Sequence, residues 1–214
     1  MAKVNNIGGL YRFLEWLMWI FYINILWIVF MCIGLIVFGI FPATAAMFAV
    51  YRDWFRKDVV DMKITKTFLE VYKKDFLKAN MIGYIVVVIG FILYLDFQLL
   101  ANVEGVMWYV MQIGLIFFGL IYIIMILHIF PVYVHYNLKF TDYFKHAIVL
   151  GISNPLTTIA MVIGLILFYF LFRYIPGLIP TIGISTPAAV IMACALIAFN
   201  NIDAKQRRYN NEDK

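Results

Sequence analysis

LMWIFYINILWIVFMCIGLIVFGIFPATAAMFAVY, residues Leu17–Tyr51, runs for 35 residues without Asp, Glu, Lys, Arg or His. About 20 apolar residues cross the roughly 30 Å hydrocarbon core of a bilayer as a helix, at about 1.5 Å per residue. The run is continuous rather than alternating, so it reads as membrane helix and not as barrel strand. Ala43-Thr44-Ala45 resembles a signal-peptidase site. The apolar run before it is too long for a signal h-region of about 7–15 residues, so the segment is read as retained helix.

The rest of the chain has the same character. Of its 214 residues, 65% are hydrophobic and 14% charged. Soluble domains carry about 45–50% apolar and about 25% charged residues. A water-soluble fold of this length could not hide that much apolar surface, whereas lipid solvates it. The sequence therefore predicts an all-α, polytopic transmembrane bundle of about five spans, forming one integral membrane domain over residues 1–214. The spans are placed at Trp16–Ile40, Asn80–Leu100, Val106–Val134, from Asn154-Pro155 to before Arg173, and Pro180–Ile202. Gly39 and Pro42 mark the end of the first. Pro187 lies inside the fifth, where it suggests a kink. Trp16, Trp19, Tyr22, Tyr51 and Trp54 flank the first span as interface aromatics do, as do Trp108 and Tyr109 near the third.

Basic residues set the expected orientation. Eight of the 17 Lys and Arg lie between Arg52 and Lys78. With five spans, fourteen fall on the side of 52–79, 135–147 and the C-terminus, against three on the other. The positive-inside rule makes the first side cytoplasmic, with a short basic tail at 203–214 and the N-terminus outside. If Leu17–Tyr51 instead folded back as a hairpin or re-entrant limb, the N-terminus would move inside and the split would be sixteen to one. Against that alternative, 35 residues are too few for two full spans and a turn.

A parallel helix–loop–helix repeat is also suggested. Ile40-Phe41-Pro42 matches Ile129-Phe130-Pro131, Lys63–Phe68 matches Lys139–Phe144, and Asn80 matches Asn154, although the spacings differ. Within a cytoplasmic amphipathic segment at about 55–79, Ile64, Phe68, Tyr72 and Phe76 recur every four residues. Lys66, Lys73, Asp75 and Lys78 mostly fall elsewhere on the wheel. Such a helix either lies on anionic headgroups or docks a cytoplasmic partner.

Polar groups within apolar runs are the candidate functional residues: Asn24, Asp96, Gln98, Gln112 and His128. Asn24 reads first as interhelical glue, Asp96 as close to headgroups, and His128 as a neutral imidazole near the inner end. No HExxH, GxSxG, phosphate loop or CxxC occurs, so no catalytic residue, cofactor or metal is expected. His128, His135 and His146 lack a carboxylate at ligand spacing. Cys32 and Cys194 read as small apolar residues.

Other residues carry a resemblance. They include Tyr11-Arg12-Phe13, Glu15-Trp16, Asn24 with Trp27, Gly34, Gly39, Pro42-Ala43-Thr44-Ala45-Ala46, Phe48-Ala49-Val50 and Arg52 with Trp54. Phe68, Tyr72-Lys73-Lys74, Phe76 and Asn80 follow, then Pro131, His135-Tyr136, Tyr143, His146-Ala147 and Asn154-Pro155. In their order and spacing these resemble the YesL family of small bacterial integral membrane proteins, a domain of unknown function. The resemblance covers nearly the whole chain. It implies a setting beside sugar-importer components, and so a non-enzymatic accessory or regulatory role in carbohydrate uptake. The expected partners are membrane lipids and sugar-importer subunits, with no nucleic acid. The chain lacks the EAA-type loop of importer permeases. An autonomous small-solute transporter or channel is the alternative, and a membrane-embedded enzyme ranks third. Asn24, Trp27, Pro42, Arg52, Lys73, Lys74, Asn80, Asp96, His128 and Asn154 are carried forward as candidate functional or packing residues.

Overall fold

A computed structural model describes the backbone of residues 3–56, 63–100 and 103–212, all of its regular structure helical. The order is α1 (Lys3–Ile33), α2 (Ile40–Arg56), α3 (Ile64–Leu100), α4 (Val106–His135), α5 (Phe140–Ser153), α6 (Pro155–Tyr174), a 3₁₀ turn (Pro176–Leu178), α7 (Ile179–Ile182) and α8 (Ser185–Glu212). Five segments are long and apolar enough to cross a membrane: Phe13–Ile33, Ile64–Leu100, Val106–His135, Pro155–Tyr174 and Ser185–Ala204. Their outer faces carry large exposed apolar side chains, among them Phe91, Phe97, Ile113, Phe117, Leu167 and Phe170. Water would not tolerate that surface, and a bilayer requires it.

The first span ends earlier than expected, and residues 17–51 do not form one helix. α1 stops at Ile33, and α2 runs back along it. Trp16 packs on Trp54 with ring centroids 4.8 Å apart, and Trp27 Nε1 donates to Thr44 Oγ1 at 3.1 Å. The hairpin brings the start of α1 beside the end of α2. The N-terminal part of α1 and the Arg52–Lys78 stretch therefore share one end of the bundle, which overturns the expected placement of the N-terminus on the side opposite that stretch. Two full spans are not needed, because α2 has only 17 residues and is largely buried among the other helices. The turn falls at Gly34–Gly39. A Cβ on Gly39 would collide with the Met31 carbonyl, so the close approach of the limbs requires glycine there. Pro42 does not end a helix. It lies in the first turn of α2, where its missing N–H costs no intrahelical bond. Pro187 likewise falls in the first turn of α8 and introduces no mid-helix kink.

The turn itself is costly. Leu35 and Ile36 take left-handed conformations, with φ of 57° and 62°, a region rarely open to a β-branched residue. The Val37 and Phe38 carbonyls lack backbone donors, while Phe30 O already accepts from Gly34 N at 3.1 Å. α3 supplies side-chain donors to all three: Tyr72 Oη donates to Phe30 O at 2.9 Å, Asn80 Nδ2 to Phe38 O at 2.9 Å, and Tyr84 Oη to Val37 O at 3.2 Å.

α3 extends for 37 residues, about 55 Å, so the amphipathic segment and the second span are one continuous helix. The expected periodicity is present, but its apolar stripe is used within the fold. Ile64, Phe68 and Tyr72 are buried, and Phe30 of α1 lies 5.0 Å from Phe68 and 4.9 Å from Tyr72. The first half of α3 is therefore not a helix lying with its apolar face on headgroups. Residues 57–62 of the expected segment lie outside the described residues, and 203–212 continue α8 as helix.

α2 and α4 run in the same direction. Phe48 stacks on Phe130 at 6.1 Å, and Arg52 hydrogen-bonds the Val134 carbonyl. Each is followed by an antiparallel helix, α3 or α5. Asn80 and Asn154 match in detail: each donates to the carbonyl four residues earlier, Phe76 at 2.9 Å and Leu150 at 3.3 Å. After Asn80 the helix continues, whereas Pro155 forces a break between α5 and α6. The Ile-Phe-Pro tripeptides are not equivalent. Pro42 opens α2, and Pro131 sits near the end of α4.

The hairpin turn yields opposite signs for two substitutions. Ile36→Gly relieves a left-handed β-branched residue and raises thermal stability in detergent by about 1 kcal/mol. Asn80→Ala strands the Phe38 carbonyl and lowers it by about 1–3 kcal/mol. Melting curves of the purified protein in one detergent check both, and a fall for Ile36→Gly would count against the turn geometry.

Candidate functional site

A cleft of about 390 Å³ opens where the end of α2, the first half of α3, the end of α4 and the start of α5 converge. Its walls combine cations (Arg52, Lys74, Lys78), one carboxylate (Asp75) and the rings of Tyr133, His135, Tyr136 and Tyr143. The helical repeat explains the α3 wall. Val71, Lys74, Asp75 and Lys78 are spaced i, i+3, i+4, i+7 and share one face.

Each cation is held differently. Arg52 is about three-quarters buried. Its Nε and Nη2 engage Asp53 Oδ1 at 2.9 and 2.8 Å, while Nη1 donates to the Val134 carbonyl. Lys78 Nζ lies 4.9 Å above the Tyr143 ring and donates to its hydroxyl at 3.2 Å. Tyr143 in turn accepts from Leu138 N at 3.2 Å and donates to Tyr136 O at 3.4 Å, tying α5 to the chain leaving α4. Lys74 is exposed at the rim. His135 stacks on Phe199 of α8 at 3.9 Å. Burial raises the pKa of the Tyr136 phenol, and the Asp203 carboxylate adds to this against the opposing pull of Arg56. Tyr136 therefore stays a neutral hydrogen-bond donor through the physiological range.

Of the residues carried forward, Arg52 and Lys74 enter this cleft. Lys73, exposed on the outer side of α3, does not line it. The others hold the fold. Asn24 is buried, donates to Pro180 O at 2.9 Å and accepts from the backbone N–H of Ile184 and Ser185 at 3.3 and 3.2 Å, so α1 caps the start of α8. Trp27 and Pro42 belong to the hairpin, and Asn80 holds its turn. His128 is fully buried, its Nδ1 3.0 Å from Ile124 O, against Gly151 of α5. Asn154 closes the α5–α6 break, where it accepts from Thr157 at 2.8 Å and Asn201 at 3.4 Å. Asp96 stands apart, exposed in a shallow apolar cleft of about 240 Å³ near the far end of α3. Among the described residues no three His, Cys, Asp or Glu side chains form a metal-binding group.

Sequence reasoning missed Asp75, Lys78, Tyr133, Tyr136, Asn137 and Tyr143 as one site. The α3 face was readable from its spacing. That the end of α4 closes over it depends on α2 lying between α3 and α4, which no local pattern encodes.

Together the five apolar helices and the polar cleft at one end define a multi-pass α-helical membrane protein. The family described as "Protein of unknown function, DUF624" matches residues 20–97. Relatives in Bacillus subtilis (strain 168) are similar over most of their length. "Uncharacterized protein YteU" is 34% identical over 86% of this chain and 82% of its own. "Uncharacterized protein YesV" is 35% identical over 96% and 99%, and "Uncharacterized protein YesL" 29% over 97% and 98%. The chain belongs to this YesL-type family. No solved structure matches it.

Asn24 and Asp96 separate fold from surface. Asn24→Ala uncaps α8 and lowers stability in detergent by about 1–3 kcal/mol. Asp96→Asn leaves the melting temperature within about 1 °C, because its side chain is exposed and supports no helix. Thermal unfolding of the two variants side by side checks the contrast.

Proposed function

We propose that this protein is a non-enzymatic accessory or regulatory component associated with carbohydrate uptake, engaging an importer or sensor subunit at the polar end of its bundle. The observation that carries the reading is how α3 is used. Its apolar stripe is spent on α1 and α2, leaving Lys66, Glu70, Lys73 and Lys74 exposed on a braced helix. A rigid charged ridge suits recognition of a partner by electrostatic complementarity. The setting beside sugar-importer components, implied by the family resemblance, supplies the class of partner. Under the positive-inside rule this end faces the cytoplasm, where an importer's ATPase subunits also lie.

The alternative is an autonomous small-solute transporter, favoured by the cleft as an entrance between helices. In this conformation Tyr122 fills the α3–α4 seam beyond the cleft, donating to Val86 O at 3.0 Å and lying over Gly90. Transport would require that tyrosine to swing aside.

A photocrosslinking residue at Lys73 in native membranes is expected to capture an importer or sensor subunit. The double change Lys66→Glu and Lys73→Glu is expected to cut that yield several-fold. Capture of lipid alone, with sugar counterflow into liposomes of the purified protein, would replace the accessory reading with the transporter.

A further inference from the structure

We propose that the cleft between α2, α3, α4 and α5 is a binding site for a phosphoryl anion, borne either by a lipid headgroup or by a free phosphate compound. This goes beyond the accessory role and does not depend on it. Three cations line the cleft against one carboxylate, Asp75. Among the described residues, Arg52 has a carboxylate within ion-pair distance, Asp53, and neither Lys74 nor Lys78 does. Like charges gathered in a partly desolvated cleft repel one another, and an anion between them removes that cost. Counting Asp53 with Asp75, the three cations leave an excess of about one positive charge, spread over three donor groups. A phosphodiester carries about −1 and a monoester about −1.5 to −2, so either meets that excess, and the several phosphoryl oxygens suit three donor groups converging on one ligand.

The donors suit such a ligand. Arg52 is fixed by Asp53 and the Val134 carbonyl, leaving N–H groups on both terminal nitrogens for another acceptor. A guanidinium with two ammonium groups is the usual chemistry for phosphate oxygens. Lys78 is pre-positioned by Tyr143, so less side-chain freedom is lost on binding. The Tyr136 phenol and the Asn137 amide add neutral donors at the wall. One buried atom of a wall residue, His135 Nδ1, has no hydrogen-bond partner among the described residues, whereas the Tyr133 hydroxyl faces the Asp75 carboxylate. A volume of about 390 Å³ lies within the roughly 300–1,000 Å³ of small-ligand sites. The cleft also opens at the end of the bundle where apolar helix gives way to charged residues, the level at which headgroup phosphates reside.

The test uses the full-length, delipidated protein in neutral detergent. One arm titrates inorganic phosphate by calorimetry. The other places the protein in phosphatidylcholine nanodiscs with a minor phosphatidylglycerol fraction and counts retained lipids by native mass spectrometry. Saturable phosphate binding in detergent identifies a free phosphate ligand. Selective retention of phosphatidylglycerol without phosphate binding identifies the headgroup. In whichever arm responds, Lys74→Gln with Lys78→Gln weakens binding by about tenfold or more, while Lys73→Gln, one residue outside the cleft, changes it less than about twofold. Asp75→Asn strengthens it about threefold, and Lys78→Arg retains it, which separates lost charge from lost folding. No binding in either arm, or equal binding by the wild type and the Lys74/Lys78 double variant, overturns the proposal.

Discussion

The architecture depends on backbone carbonyls being satisfied at the α1–α2 turn. Each unpaired carbonyl in a lipid environment costs several kcal/mol, because no water reaches it. Asn80 and Tyr84 meet that demand from α3, and Tyr72 adds a second bond to the Phe30 carbonyl that Gly34 N already engages. Their hydrogen bonds allow a six-residue turn with two left-handed residues, which in turn allows α2 to double back into the centre of the bundle. With α2 there, the first half of α3 and the end of α4 flank its last turns. The polar cleft is the space left between them.

The spans were largely legible, because a bilayer imposes a length and a hydropathy that any window reveals. Val106–His135 and Pro155–Tyr174 fall within a residue or two of expectation. The hairpin was not so readable, since its turn, Gly34-Leu35-Ile36-Val37-Phe38-Gly39, is as apolar as the helices it joins. Polarity marks turns in water, but in lipid a turn keeps its greasy side chains and hides only its backbone. The two glycines were the available signal. In sequence Gly39 and Pro42 look like one stop, whereas Gly34 follows the end of α1 and Pro42 lies in the first turn of α2. The amphipathic stripe on α3 is legible residue by residue, and Ile64, Phe68 and Tyr72 are buried. Its destination is not legible, because the neighbour that buries it, Phe30, lies in an unbroken apolar run that marks no inward face.

The candidate site divides in the same way. Asn24, Asn80 and Asn154 stand out in sequence as polar residues in apolar surroundings, and all three complete backbone hydrogen bonds. Lys74, Asp75 and Lys78 look ordinary in a charged stretch, yet they form one wall of the cleft. Isolation in the sequence marked the residues that brace the fold, and the residues with chemistry to offer a ligand sat where charge was common.

The route by which α3 braces the hairpin also constrains biogenesis. The Val37 carbonyl and its donor on Tyr84 are 47 residues apart, so α1 and α2 leave the ribosome well before the side chains that complete their turn. Until α3 arrives, the nascent hairpin has to keep those carbonyls in contact with water or with the insertion machinery. Completion of the hairpin turn is thereby tied to the emergence of the next helix, and a chain truncated before Asn80 would leave the Val37 and Phe38 carbonyls without the donors that α3 supplies.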